Sequence, residues 1–215
     1  MEPLHAQFDY LKNTVSVYND YYQAFKDYKV TAEVYDLNSK KVWGKSQKID
    51  IPEDGVVIDI FTIDFPQNIT QVHFIKLRLF DTKGKEVANT FYWRSNDKYE
   101  GRKTLTGPTS SGFEDLSKLK QVQLKTRYQT YQEGDRHFIK AEIKNPSSTV
   151  AFFTQLQLLG QDKKPVRPSF YTDNFFSLLP GESKTVIIET ATDDMPSEPT
   201  FVVKGWNIQS SSFKL

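Results

Sequence analysis

At 215 residues the chain is longer than a typical single domain and suits two modules of roughly 100 residues each. Its 28 Lys plus Arg against 27 Asp plus Glu leave a net charge of +1, too small for a long-range field that would gather nucleic acid or an anionic membrane, so neither is an expected partner. It contains no cysteine, which excludes disulfide scaffolds, cysteine-ligated zinc and thiol nucleophiles, and no apolar run reaches the roughly 20 residues of a membrane-spanning helix.

The N-terminal Met1-Glu2-Pro3-Leu4-His5 lacks the basic and apolar regions of a secretion signal. Strand-like sequence begins almost at once, as expected if native sequence precedes it. Tyr18, Tyr21, Tyr22 and Phe25 recur at the i, i+3, i+4, i+7 spacing of one helix face. Asn19-Asp20 and Lys26-Asp27 instead read as a loop between strands, and the loop is the expectation. Beyond it, alternation with period 2 dominates. In the stretch 72–79, Ile75, Leu77 and Leu79 share one face opposite Lys76 and Arg78. Val122, Leu124 and Tyr128 oppose Gln123, Lys125, Arg127 and Gln129. Ile139, Ala141 and Ile143 oppose Lys140, Glu142 and Lys144. Such segments are half-buried strands of antiparallel sheets. Turn chemistry punctuates them at Asp36-Leu37-Asn38-Ser39-Lys40, Pro52-Glu53-Asp54-Gly55, Asp81-Thr82-Lys83-Gly84-Lys85, Glu133-Gly134-Asp135 and Asn145-Pro146-Ser147-Ser148. Leu179-Pro180-Gly181-Glu182 fits a type II turn, followed by a return strand from Ser183. The class is therefore all-β, a sandwich or barrel. The clearest seam runs from 96 to 120, around the apolar-poor Thr106-Gly107-Pro108-Thr109-Ser110-Ser111-Gly112. It places one module at 1–106, a linker at 107–112 and a second module at 113–215, the latter opening with a short helical turn in Phe113–Leu119.

Catalytic signatures do not appear. The sequence has no G-x-S-x-G, P-loop, G-x-G-x-x-G or H-E-x-x-H. His5, His73 and His137 are far apart and read as ordinary strand residues, so no metal site is expected. The pairs Glu53-Asp54, Glu114-Asp115 and Asp193-Asp194 sit in turn or linker sequence, where solvated turn residues are the expectation rather than the paired carboxylates of glycoside hydrolysis. Asn68-Ile69-Thr70 matches a glycosylation sequon, meaningful only in a eukaryotic secretory pathway. The aromatic residues Trp43, Trp93, Trp206, Tyr92, Tyr171, Phe175 and Phe176 could form a sugar platform, but core and interface packing is the stronger expectation for rings of this size. In Phe170–Leu179 alternation breaks at Phe175-Phe176 and Leu178-Leu179, which predicts a strand covered on both faces. Asp173-Asn174 is expected to re-aim the chain through a turn or bulge.

The second module also carries a resemblance. Asn145-Pro146-Ser147-Ser148-Thr149-Val150-Ala151-Phe152-Phe153, Leu156-Gln157-Leu158-Leu159, Pro168 through Ser183, and Gly205-Trp206-Asn207 resemble the C-terminal immunoglobulin-like domain of glycoside hydrolase family 2 enzymes of the exo-β-D-glucosaminidase and β-mannosidase groups. Val166-Arg167-Pro168-Ser169 departs from the family, which more often has apolar residues on both sides of the proline. The first module is similar to the preceding domain of those enzymes through Glu2-Pro3-Leu4-His5, the strand Val30–Leu37 and Tyr92-Trp93-Arg94-Ser95. The resemblance implies two immunoglobulin-like antiparallel β-sandwich domains in tandem, accessory to a retaining glycosidase acting on β-linked sugars. Its catalytic glutamates would lie on a (β/α)₈ barrel, for which this chain has no strand and helix pattern. No catalytic residue and no cofactor are expected here. The implied partner is the catalytic barrel of the same parent chain, and carbohydrate is a second candidate. Tyr171, Asp173, Asn174 and Trp206 are the candidates for contact with sugar or a neighbouring domain. The alternative is an independent carbohydrate-binding or adhesion module. The sequence assigns no compartment, and the resemblance is compatible with a periplasmic or extracellular parent enzyme.

Overall fold

The computed structural model describes residues 2–96 and 112–215, so the linker expected at 107–112 lies, up to Ser111, outside the described residues. The chain divides into two compact units, 1–116 and 117–215, each with its own apolar core.

The first unit contains seven strands: β1 (Leu4–Asp9), β2 (Thr14–Asn19), β3 (Phe25–Asp36), β4 (Lys41–Ile51), β5 (Gly55–Thr62), β6 (Val72–Phe80) and β7 (Glu86–Ser95). They form two antiparallel sheets, ordered β1-β2-β5 and β4-β3-β6-β7. Alternate residues of both sheets, among them Ala6, Phe8, Val15, Val17, Val30, Ala32, Val34, Ile75, Leu77 and Leu79, meet in one core. This is the packing of an immunoglobulin-like sandwich.

The helical spacing of Tyr18 to Phe25 does not make a helix. Tyr18 lies in β2 and Phe25 opens β3, with Asp20 to Ala24 as the loop between the strands. The wet face expected on β6 is also absent. As a central strand, β6 is buried on both sides, with Phe74 fully enclosed and Lys76 only 5% exposed. The Lys76 ammonium group donates to Asn89 Oδ1 at 3.0 Å and lies over the Phe91 ring.

β5 is an edge strand, and its pairing with β2 slips between Val15 and Val17. At the slip, Asp59 takes a φ of 50°, accepts a 2.6 Å hydrogen bond from Thr14 and pairs with Lys12 at 3.0 Å. Neighbouring Ile58 is thrown into solvent. The edge strand of the other sheet, β4, displays Lys41, Lys45 and Lys48, all exposed.

A 3₁₀ turn at Glu114–Lys118, where the sequence predicts a helical turn, spans the division, and the second unit follows it. Its strands are β8 (Lys125–Glu133), β9 (Arg136–Lys144), β10 (Ala151–Leu159), β11 (Phe170–Tyr171), β12 (Phe176–Leu178), β13 (Ser183–Ala191), β14 (Thr200–Gly205) and β15 (Ile208–Lys214). One sheet is ordered β11-β13-β9-β8 and the other β12-β10-β14-β15, around Ile139, Ala141, Ile143, Leu156, Leu158, Val186, Ile188, Phe201 and Val203. The single strand expected from Val122 to Gln129 is divided. Val122 bridges Ile208 in parallel, on the second sheet, and only from Lys125 does the chain join β9. Val122 and Leu124 are buried in the core as the alternation predicts, but Tyr128, expected on the same side, is 38% exposed and meets Phe201 and Phe213 from the sheet margin, because β8 is an edge strand.

Candidate interaction surface

The segments that carried the family resemblance are held by asparagine side chains bonded to backbone. Asn145 is fully buried; its amide donates to Thr149 O at 2.8 Å and Leu178 O at 2.9 Å, and its oxygen accepts from Ser147 N at 3.0 Å. Its own backbone exchanges bonds with the 179–182 turn, from Gly181 N and to Glu182 O. The Asn-Pro-Ser-Ser turn and the Leu-Pro-Gly-Glu turn are thus one locked unit. Within the latter, Glu182 N bonds Leu179 O at 3.1 Å and Gly181 has a φ of 82°, as a type II turn requires.

Asn174 does comparable work beside β10. Its oxygen accepts from Leu156 N at 2.8 Å and its amide donates to Leu156 O at 3.0 Å, so the side chain stands in for a residue of a paired strand. Asp173 forms an ion pair with Lys184 and caps Asn174 N at 2.7 Å. Tyr171 is half-buried against the core, and its hydroxyl accepts from Leu158 N at 3.0 Å. Burial raises its pKa above the ordinary tyrosine value, with the Leu158 bond opposing the rise. The structure therefore brings Tyr171, Asp173 and Asn174 together as anchors of the chain leading into β12.

Trp206 lies elsewhere, at the tip of the β14–β15 turn, and is 59% exposed. Asn207 behind it is 3% exposed: Phe152 N donates to its oxygen at 2.9 Å, while its amide donates to Val150 O at 2.8 Å and Lys120 O at 2.9 Å. Gly205 lets the backbone of Phe152 and Phe153 approach; a Cβ there would stand 2.9 Å from Phe153 O and 2.4 Å from Ile208 Cδ1.

Sequence reasoning missed Phe153 and overestimated the burial of Phe175. Both adopt left-handed backbone, φ 57° and 59°, which turns their side chains out of the alternation. Their exposed rings meet at 5.4 Å. Bulky residues rarely hold this conformation, and no local sequence pattern signals it. Phe176, Leu178 and Leu179 are buried, as expected.

In the first unit, two titratable groups are strongly displaced. His73 faces the core, 1% exposed beside Phe65, and the backbone carbonyls of Thr70 and Gln71 lie near its ring without making a hydrogen bond of good geometry. Desolvation lowers its pKa to about 4. Burial and a hydrogen bond to Glu33 push Tyr35 up to about 12; Glu33 also pairs with Lys41 and Arg78. Among the described residues no three His, Asp or Glu side chains are arranged to hold a metal ion. Glu53, Asp54, Asp193 and Asp194 are exposed in turns.

Fold and surface together define the chain as a pair of immunoglobulin-like β-sandwich domains. Residues 104–208 match the exo-β-D-glucosaminidase Ig-fold domain, and residues 12–99 match the mannosidase Ig/CBM-like domain. The chain belongs with the immunoglobulin-like domains of glycoside hydrolase family 2 enzymes of the exo-β-D-glucosaminidase and β-mannosidase type. Similar proteins include the exo-β-D-glucosaminidase of Streptomyces avermitilis, 28% identical over 96% of this chain and 24% of its own length. That of Amycolatopsis orientalis is 26% identical, over 96% and 21%. The crystal structure of the Amycolatopsis orientalis exo-chitosanase superposes with a TM-score of 0.88 at 24% identity, covering 100% of this chain and 26% of that one. A β-D-mannosidase from Dictyoglomus thermophilum reaches 0.62 at 15%, covering 96% and 22%. These structural likenesses establish the fold. The chain spans about a quarter of the length of these relatives.

Proposed function

We propose that the chain forms the non-catalytic accessory domains of an exo-β-D-glucosaminidase-like enzyme and works by packing beside the catalytic barrel of the same parent polypeptide. The observation that carries this reading is the tiling of the chain by two different glycosidase domain families, in one order, along relatives about four times as long. The exposed Phe153, Phe175 and Trp206 suit contact with a neighbouring domain, because large rings supply much apolar area for little ordering cost. Tyr171, Asp173 and Asn174 hold the connection that presents Phe175.

The test has two arms. The complete coding sequence is expected to encode a barrel with two catalytic glutamates, and the isolated 215-residue chain is expected not to turn over nitrophenyl β-D-glucosaminide. A native gene product of these residues alone, or measurable turnover by the isolated chain, overturns the proposal.

A further inference from the structure

Most edge strands of the two sandwiches are ill suited to pairing with a further strand. Among the described residues, the pairing of β4, β5, β7 and β15 with their neighbours shifts register, which breaks the straight row of donors and acceptors. β11 and β12 have only two and three residues, and β1 gives its Phe8 N–H to the Tyr92 hydroxyl. β8 differs on every count. It pairs with β9 through nine consecutive residues without a shift, and all of it but Thr126 and Tyr131 is exposed. Among the described residues, only β9 bonds its main chain.

Side chains on both faces hold this strand in place. Tyr128, on the core side, donates to Lys214 O at 2.9 Å and meets the Phe213 ring at 5.5 Å. Tyr131, on the outer side, stacks on Phe138 with centroids 5.0 Å apart and 11° between planes. An edge fixed before a partner arrives loses little conformational freedom on pairing. Lys125, Arg127 and Glu133 share the outer face, and none forms an ion pair among the described residues. Lys125 also stands opposite Lys144 on β9, a like-charge repulsion that a negative group on the free side would offset.

We propose that this edge pairs with the same edge of a second copy, antiparallel about a two-fold axis at Gln129, joining two four-stranded sheets into one. Centring on Gln129 uses all nine residues and sets Lys125 against Glu133, Arg127 against Tyr131, and Tyr128 against Thr130 of the other copy. Both ends of the strand then gain an opposite charge, and the guanidinium gains a ring. A slip of one residue would set outward side chains against inward ones. A slip of two parts Lys125 from Glu133.

The experiment is sedimentation equilibrium of the 215-residue chain from about 10 μM to 1 mM, a range suited to an interface below the standard size, with amide chemical shifts followed alongside. A reversible dimer is expected, with concentration-dependent shifts confined to β8 and β9. Glu133→Lys sets lysine against lysine at both ends of the symmetric pair and weakens the dimer by about tenfold or more. Lys125→Glu does the same, and the double variant Lys125→Glu/Glu133→Lys restores wild-type association. Glu53→Lys, an equal change of charge in the exposed turn before β5, leaves it unchanged. A chain that stays monomeric up to about 1 mM overturns self-pairing and leaves the edge to a different partner. A dimer that Glu133→Lys does not weaken, or that the double variant does not restore, overturns it equally. None of these outcomes depends on whether the parent gene encodes a barrel.

Discussion

Asn207→Ala removes a side chain that is 3% exposed and makes three hydrogen bonds to backbone. Lys120 lies at the surface, so its carbonyl can turn to water. Phe152 N and Val150 O cannot, since both residues are buried. Leaving two buried backbone groups bare at about 1 to 3 kcal/mol each gives an expected loss of roughly 3 kcal/mol, a large share of a domain's stability. Because the two units have separate cores, one midpoint for the whole chain is not a well-defined quantity. The assay is therefore hydrogen exchange of individual amides: Val203 and Ile188 report the second unit, and Val34 and Leu77 the first. The loss is expected at the former pair alone. Asn207→Asp is expected to be at least as damaging at neutral pH, since it places a carboxylate oxygen against two carbonyls. Gln209→Ala, on the exposed face of β15, should stay within about 0.5 kcal/mol. A cost below about 1 kcal/mol for Asn207→Ala, or wild-type protection in Asn207→Asp, would refute the clamp as the source of stability.

Three further perturbations follow from the same geometry. Gly205→Ala forces a methyl group to 2.9 Å from Phe153 O and is expected to cost about 2 kcal/mol, measured by hydrogen exchange at Val203 and Ile188; a neutral effect would show that the two turns can separate freely. Tyr171→Phe leaves Leu158 N without its acceptor and should destabilise the second unit by about 1 to 2 kcal/mol, whereas an unchanged value would mean that water replaces the hydroxyl. For His73, a folded value of about 4 against an unfolded value near 6.5 means that only the unfolded chain takes up the proton between those two pH values. Stability should fall by roughly 3 kcal/mol in total as pH drops from about 6.5 to about 4, then stop falling from this cause, and His73→Leu should flatten that slope; an identical pH profile in the variant would exclude His73 as the source.

The strands were legible because burying one side of a sheet imposes period 2 on side chains, and that pattern survives even where the chain changes sheets between Val122 and Lys125. Polar residues misled for a reason. Alternation reads Lys76 as wet, and spacing alone cannot show that β6 is central or that Asn89 and Phe91 wait beside the ammonium. Tyr18, Tyr21 and Phe25 stood out by their spacing, but that spacing belongs to a strand end, a loop and a strand start, not to a helix. Among the asparagines of the second unit, Asn174 stood out in the sequence as a candidate contact, whereas Asn145 and Asn207 entered only as parts of motifs. Their importance lies in carbonyl and amide groups distant along the chain, as with Asn207 and Lys120. Phe175 was misplaced because one positive φ reverses a side chain without leaving any trace in residue type.

The kink at Asp59 bears on how the chain meets other copies of itself. A β-strand at a sheet margin is a template on which another strand can grow, and β5 carries Val56 and Ile58 outward on just such a margin. The slip in pairing, with the Asp59 carboxylate beside Lys12, breaks the straight row of donors and acceptors that an incoming strand would need. On a margin of the other sheet, lysines along β4 would repel a second copy of themselves. At these two margins the first sandwich thus resists growth by added strands at the high local concentrations of synthesis, where many identical nascent chains emerge side by side.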